Sequence, residues 1–71
     1  MALADLVRMV NQISDNFSYE SPARAADDVA THLRLFWTPG MREEIIAYAR
    51  ANGSELSEVT RLALQQLALR D

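Results

Sequence analysis

The chain has 71 residues, 49% of them hydrophobic, a formal net charge of −3 at pH 7 and no cysteine. A chain of this length forms at most one domain and buries only about 60% of the surface that it exposes when unfolded. Disulfides and thiolate metal sites are excluded and no apolar run approaches the roughly 18 residues of a membrane span, so we expect a single cytoplasmic domain over residues 1–71 that does not contact a membrane.

Two amphipathic helices are predicted in the first half of the sequence. Apolar residues recur at spacings of three and four along residues 3–19, which predicts a first helix there. Ser21 can then cap a second helix that begins at Pro22, because proline is favoured at the first helical position. The second helix is predicted over residues 22–37, with an apolar stripe of Ala26, Val29, Ala30, Leu33, Phe36 and Trp37.

A sharp corner separates the second helix from the third. Proline disfavours helical geometry in the residue before it, so Thr38 leaves the helix and can cap the next one, which starts at Pro39. We expect the third helix over residues 39–51, with Asn52-Gly53 as its left-handed stop, and a serine-capped fourth helix over residues 57–69. The predicted fold is therefore all-α, a small bundle of about four short helices with no sheet.

The helices carry more apolar surface than a small monomer needs. The fourth helix has apolar residues around most of its circumference rather than along one stripe. On the second helix, Leu35 projects about 160° away from Leu33, on the side of Asp28 and His32. Together with the small size of the chain, this surface favours a protein that is completed by a partner, either its own copy or another chain.

Residues that could carry out chemistry are sparse. Asp28 and His32 lie four residues apart on one helical face, a spacing that can orient an imidazole for catalysis but more often forms a surface contact. The two glycines make no phosphate-binding loop, and the single histidine cannot make a zinc site alone. Four short helices can hardly enclose a pocket of about 300 Å³ or more. We therefore expect a chain that is not an enzyme and that binds no cofactor or metal.

Several side chains are suited to contacts with a protein partner. The amides of Asn11 and Gln12 flank the first apolar stripe, where they can bond to a partner's backbone or remain hydrated. Met9 fits either the edge of the core or a recognition surface. Phe36 and Trp37 can form the aromatic centre of the core or anchor an interface, because large aromatic side chains serve both purposes.

Two sequence patterns point to a family. R-M-x-N-Q-I-x-x-x-F at residues 8–17 and H-L-x-x-F-W-x-P-x-M-R at residues 32–42 resemble the delta subunit family of NAD-dependent formate dehydrogenases. The resemblance extends over nearly the whole chain and includes L-S-x-x-x-R-x-A-L at residues 56–64. Members of that family usually carry an acidic residue before the proline and an arginine after it, whereas this chain has Thr38 and Gly40.

The resemblance implies a small accessory subunit that binds the large molybdenum-containing catalytic subunit of a cytoplasmic complex and acts in its assembly or stability. It also implies that the partner subunits carry the molybdenum cofactor, iron–sulfur clusters and FMN. The residues expected to bind the partner are those of the matching positions together with the outward-facing Leu35: Arg8, Met9, Asn11, Gln12, Phe17, His32, Leu35, Phe36, Trp37, Pro39, Met41 and Arg42.

Two other classes of protein fit parts of the sequence. Residues 33–69 are similar to a ribbon-helix-helix DNA-binding repressor, in which a short strand precedes two helices. The strand fits badly, because its groove face would present Arg34, Phe36 and Thr38 with one basic residue, and the negative net charge argues against binding nucleic acid. The third class is a free-standing homodimeric helical adaptor. A homo-oligomer of the isolated chain is compatible with the adaptor and with the accessory subunit.

Overall fold

The first helix, α1, spans Leu3–Asn16 in a computed structural model that describes residues 2–70; both ends of the predicted 1–71 domain lie outside the described residues. The helix ends three residues earlier than the periodicity predicts. The N–H of Phe17 donates to the carbonyl oxygen of Ser14 and the N–H of Glu20 to that of Phe17, both at 3.1 Å. These bonds step back three residues instead of four, so the chain turns tightly towards the second helix.

The second and third helices, α2 (Pro22–Phe36) and α3 (Pro39–Ala51), meet at the predicted corner. The helix α2 ends one residue before the predicted position because Trp37 already has extended backbone, with φ −93° and ψ 145°. The hydroxyl oxygen of Thr38 accepts a hydrogen bond from the N–H of Met41 at 3.2 Å, which confirms Thr38 as the cap of α3.

The fourth helix, α4, spans Glu58–Arg70 and follows a short loop after α3. Gly53 in this loop has φ +66°, the left-handed conformation expected of a helix stop. The hydroxyl oxygen of Ser57 accepts a hydrogen bond from the N–H of Thr60 at 3.2 Å. Ser57 is therefore the cap, and the helix begins and ends one residue later than predicted.

The core lies around α4, which packs against the other three helices and most extensively against α2. This position explains much of the apolar breadth of α4, because three neighbours cover it. The accessible surface of the chain is 4392 Å², close to the roughly 4,450 Å² expected of a folded monomer of its mass. No strand occurs among residues 2–70, so the all-α fold with four helices is confirmed. Over the same range, no helix combines the length and the apolar character needed to cross a bilayer.

The predicted core stripe of α2 is wrong at its end. Phe36 is 71% exposed, whereas Trp37 is 6% exposed and belongs to the core cluster. The reason is the corner itself: once Trp37 leaves the helix, its side chain no longer follows the helical spacing and turns inward. Phe36, in the last helical position, is left at the edge of the stripe and faces outward.

Candidate protein–protein interface

Two large apolar side chains are exposed next to each other at the end of α2. Leu35 and Phe36 are each 71% exposed. The ring of Phe36 packs on the ring of the half-buried His32, with centroids 4.7 Å apart and planes inclined by 41°. Together with Pro39, which is exposed at the start of α3, they form what we call the corner surface: His32, Leu35, Phe36 and Pro39. Neighbouring exposed apolar side chains of this size are typical of a contact surface.

The backbone of the corner is fixed on both sides of its bend. The N–H of Trp37 donates to the carbonyl oxygen of Leu33 at 2.9 Å, and the Trp37 side chain is buried in the core. On the other side, the Thr38 hydroxyl holds the first turn of α3. A surface that is ordered before binding loses little conformational entropy on association, which favours affinity.

Thr38 and Gly40 are the two corner positions at which this chain differs from the family pattern that it resembles. The Thr38 hydroxyl caps α3 through the N–H of Met41, a task that an aspartate side chain would also perform. A Cβ atom at Gly40 would meet nothing within 4 Å. Thr38 therefore keeps the capping function. At Gly40, a longer side chain would extend into open space.

Asn11 binds the loop between α3 and α4 of its own chain. Its Nδ2 donates to the carbonyl oxygen of Glu55 at 2.8 Å, and its Oδ1 accepts from the N–H of Ser57 at 3.0 Å and from the hydroxyl of Thr60 at 3.1 Å. Because a backbone carbonyl only accepts and a backbone N–H only donates, the amide has one orientation here. The amide thus ties α1 to the start of α4.

Sequence reasoning missed the hydroxyl groups that complete this arrangement. Ser14 is 2% exposed and Thr60 is fully buried, and their hydroxyl oxygens lie 2.6 Å apart. The Ser57 hydroxyl lies 2.8 Å from that of Thr60. We call these four residues the polar cluster: Asn11, Ser14, Ser57 and Thr60. A usable signal exists, because Ser14 follows Val10 by four residues and Thr60 precedes Leu64 by four, which places both polar residues on core stripes.

The other predicted partner residues are spread over the molecule. Arg8 and Gln12 are exposed on α1, and Arg8 pairs with Asp5 at 3.0 Å. Arg42 is half-buried, and its Nε is buried without a hydrogen-bond acceptor among residues 2–70. Three further residues are half-buried against the core: Met9, Phe17 and Met41. Among the predicted partner residues of the corner surface, His32 and Phe36 are in contact and Leu35 and Pro39 are near them in the sequence. Partner binding by the whole set stays a prediction.

An acidic pair lies beside the corner surface. The pKa of the Glu20 carboxyl is raised because the Asp28 side chain hydrogen-bonds to it; its desolvation and the Asp28 charge act in the same direction, and Arg24 opposes them. The Glu20 side chain is 16% exposed, and its Oε1 lies 3.9 Å from Nε of Arg24. Asp28 lies one turn before His32 on α2.

An open groove runs between α3 and α4 on another part of the molecule. Its volume is about 520 Å³, larger than the sequence predicts for four short helices, but it is open to solvent. Apolar side chains such as Ile46 and Leu64 line it together with Arg50 and Arg61, and the lining residues within 2–70 include no histidine or carboxylate. Within residues 2–70, no group of histidine and acidic side chains could hold a metal ion.

Comparison with known proteins gives a family. The model of the NADH-dependent formate dehydrogenase delta subunit family, FdsD, matches residues 5–64 of the 71. No curated protein and no solved structure gives a significant match. The matched range contains both the corner surface and the polar cluster and covers most of the chain. The chain belongs to the delta subunit family of NADH-dependent formate dehydrogenases.

Proposed function

We propose that this chain is a non-catalytic accessory subunit that binds the large molybdenum-containing subunit of a cytoplasmic NAD-dependent formate dehydrogenase. The contact serves the assembly or the stability of that complex. The molybdenum cofactor, the iron–sulfur clusters and FMN belong to the partner subunits. Membership of the delta subunit family supports an association with a formate dehydrogenase, and the exposure of Leu35 and Phe36 at the corner is the observation that carries the proposed contact.

The corner surface supplies a plausible share of the binding free energy. Full burial of an apolar side chain of this size contributes about 1.5–3 kcal/mol. Leu35 and Phe36 are each 71% exposed, so a partner that covers the exposed part of both gains about 2–4 kcal/mol from apolar contact alone. His32 and Pro39 flank them with side chains that have little freedom to lose, since one is packed on Phe36 and the other is a ring.

The alternatives receive less support. A repressor strand would occupy residues 33–38, of which residues 33–36 are helical in α2. Catalysis by Asp28 and His32 would require an imidazole paired with that carboxylate, whereas within residues 2–70 no ion pair joins the two and the His32 ring packs on Phe36. The proposed role is therefore one of contact.

Co-expression tests this proposal. The tagged chain is produced together with the large molybdenum-containing subunit and recovered by affinity and then size-exclusion chromatography. We expect both proteins to elute together in equal amounts. Replacing Leu35 and Phe36 by serine should remove the large subunit from the eluate, whereas Tyr19→Ser, a change at an aromatic residue that is 81% exposed away from the corner, should not. The proposal is rejected if the wild-type chain elutes without the large subunit.

The assembly role is tested in the same system. The large subunit is purified after expression with and without this chain, and its molybdenum content is measured by mass spectrometry together with its melting temperature. A role in cofactor insertion predicts a lower molybdenum content without the chain, and a role in stability predicts a lower melting temperature at equal molybdenum content. If neither quantity changes, the contact serves no assembly or stability function.

A further inference from the structure

The groove between α3 and α4 shares no residue with the corner surface. Apolar side chains from both helices line it, with the small Ala49 on α3 and Ala68 on α4. Leu69, which also lines it, is 87% exposed. Small residues on two neighbouring helices allow another helix to approach closely. This groove accounts for the part of α4's apolar breadth that packing inside the chain leaves uncovered.

Charges of opposite sign lie along the α3 side of this groove. Arg50, near the end of α3, and Arg61, near the start of α4, lie at the end next to the connecting loop. Glu43 lies two turns before Arg50 on α3, in an adjoining pocket that Arg50 and Ala68 also line. Seven residues separate Glu43 from Arg50, which is about 10 Å along a helix. Neither arginine forms an ion pair within residues 2–70, and Arg61 donates through Nε to the carbonyl oxygen of Leu56 at 3.3 Å.

We propose that the groove is the interface of a homodimer, in which two copies pack their α3 and α4 helices antiparallel about a two-fold axis. In this arrangement, the Arg50 end of each α3 helix meets the Glu43 end of the other, so that Glu43 pairs with the partner's Arg50 twice. The parallel arrangement would place arginine against arginine and is disfavoured. A two-fold axis sets each surface patch against the same patch of the other copy. A patch that is basic at one end and acidic at the other is therefore complementary to itself.

The size of the face indicates a weak dimer. Each of the two helices has 13 residues, so each is about 20 Å long and about 10 Å across. Their common outer face measures about 400 Å² in projection and somewhat more as accessible surface. The low end of specific interfaces requires about 600 Å² from each partner. We expect association in the micromolar range that weakens as salt is added, because its ion pairs are exposed.

Analytical ultracentrifugation of the purified chain tests the proposal without any other subunit. The wild type should dimerise between about 1 and 500 μM. Glu43→Arg and Arg50→Glu should each raise the dimer dissociation constant about tenfold or more, because each creates two repulsive pairs per dimer. The double variant should return to within about threefold of the wild type. Circular dichroism checks that every variant keeps its helix content.

The double variant separates two effects of a single charge reversal: loss of contact between the copies and loss of folding stability. Glu43 and Arg50 lie too far apart to pair within one copy, so their recovery in the double variant reports contact between copies. The change of Leu35 and Phe36 to serine should leave the dissociation constant unchanged. The proposal is overturned if the wild type stays monomeric, if the double variant is no better than the singles, or if the corner variant abolishes the dimer. None of these results bears on binding of the large molybdenum-containing subunit.

Discussion

Replacing Asn11 by alanine tests the polar cluster as the tie between α1 and the start of α4. The change removes hydrogen bonds to Glu55, Ser57 and Thr60, each of which contributes about 1 kcal/mol net. The exposed Glu55 carbonyl can bind water instead, and the Thr60 hydroxyl keeps two hydroxyl neighbours. The half-buried N–H of Ser57 loses its side-chain acceptor. We therefore expect Asn11→Ala to lower the free energy of unfolding by about 2–3 kcal/mol, a large fraction of the roughly 4–11 kcal/mol available to a chain of this length.

The assay is urea denaturation of the purified chain, followed by circular dichroism at 222 nm. Gln12→Ala is the matched control, because the neighbouring amide is exposed and its loss should change the stability by less than about 0.5 kcal/mol. Asn11→Asp keeps the acceptor but sets a carboxylate oxygen against the Glu55 carbonyl, so it should also destabilise the fold. If Asn11→Ala stays within about 0.5 kcal/mol of the wild type, the reasoning about the polar cluster is refuted.

Three further predictions concern stability. Alanine should stabilise the chain by about 0.5–1 kcal/mol at Gly40, which has open space around it, and destabilise it by about 1 kcal/mol or more at Gly53, which has φ +66°. Urea denaturation measures both changes, and a change of the same sign at both glycines would contradict this prediction. Glu20→Gln should stabilise the chain at pH 7 and have less effect near pH 4. The raised pKa of the Glu20 carboxyl beside Asp28 gives stability that is present at low pH and is lost as the pH rises through that pKa. If the pKa were not raised, thermal melts would show the same difference between variant and wild type at both pH values. Trp37→Ala should lower the free energy of unfolding by about 3–5 kcal/mol in urea denaturation, since the side chain is 6% exposed. A loss below about 1 kcal/mol would show that the core does not depend on this side chain.

The sequence predicts the helices and the corner well because their causes are local. Proline at the start of a helix restricts the residue before it, a hydroxyl caps the first turn, and Gly53 tolerates the left-handed conformation. Each effect acts within a few residues. The helix ends differ from prediction by one to three residues: a turn bond at Phe17 ends α1 early, and the extended backbone of Trp37 ends α2 one residue early.

The arrangement of side chains between helices could not be predicted in the same way. Helical spacing places Phe36 in the core, but Trp37 fills that space after it leaves the helix. The polar cluster joins Asn11 to Ser57, which are 46 residues apart, and no local pattern contains their pairing. In both cases the outcome depends on which faces meet in three dimensions. Polar residues on two core stripes are the one sequence signal for the polar cluster.

The affinity of this chain for the large molybdenum-containing subunit of formate dehydrogenase tests most directly whether the corner surface is its docking site. Titration calorimetry compares the wild type with a variant in which Leu35 and Phe36 are both alanine, and with Tyr19→Ala as the control. Truncating two interface anchors should weaken binding by about 3 kcal/mol or more, which is over a hundredfold in Kd, while the free energy of unfolding and the control stay unchanged. Binding of the double variant at wild-type affinity would contradict docking through the corner.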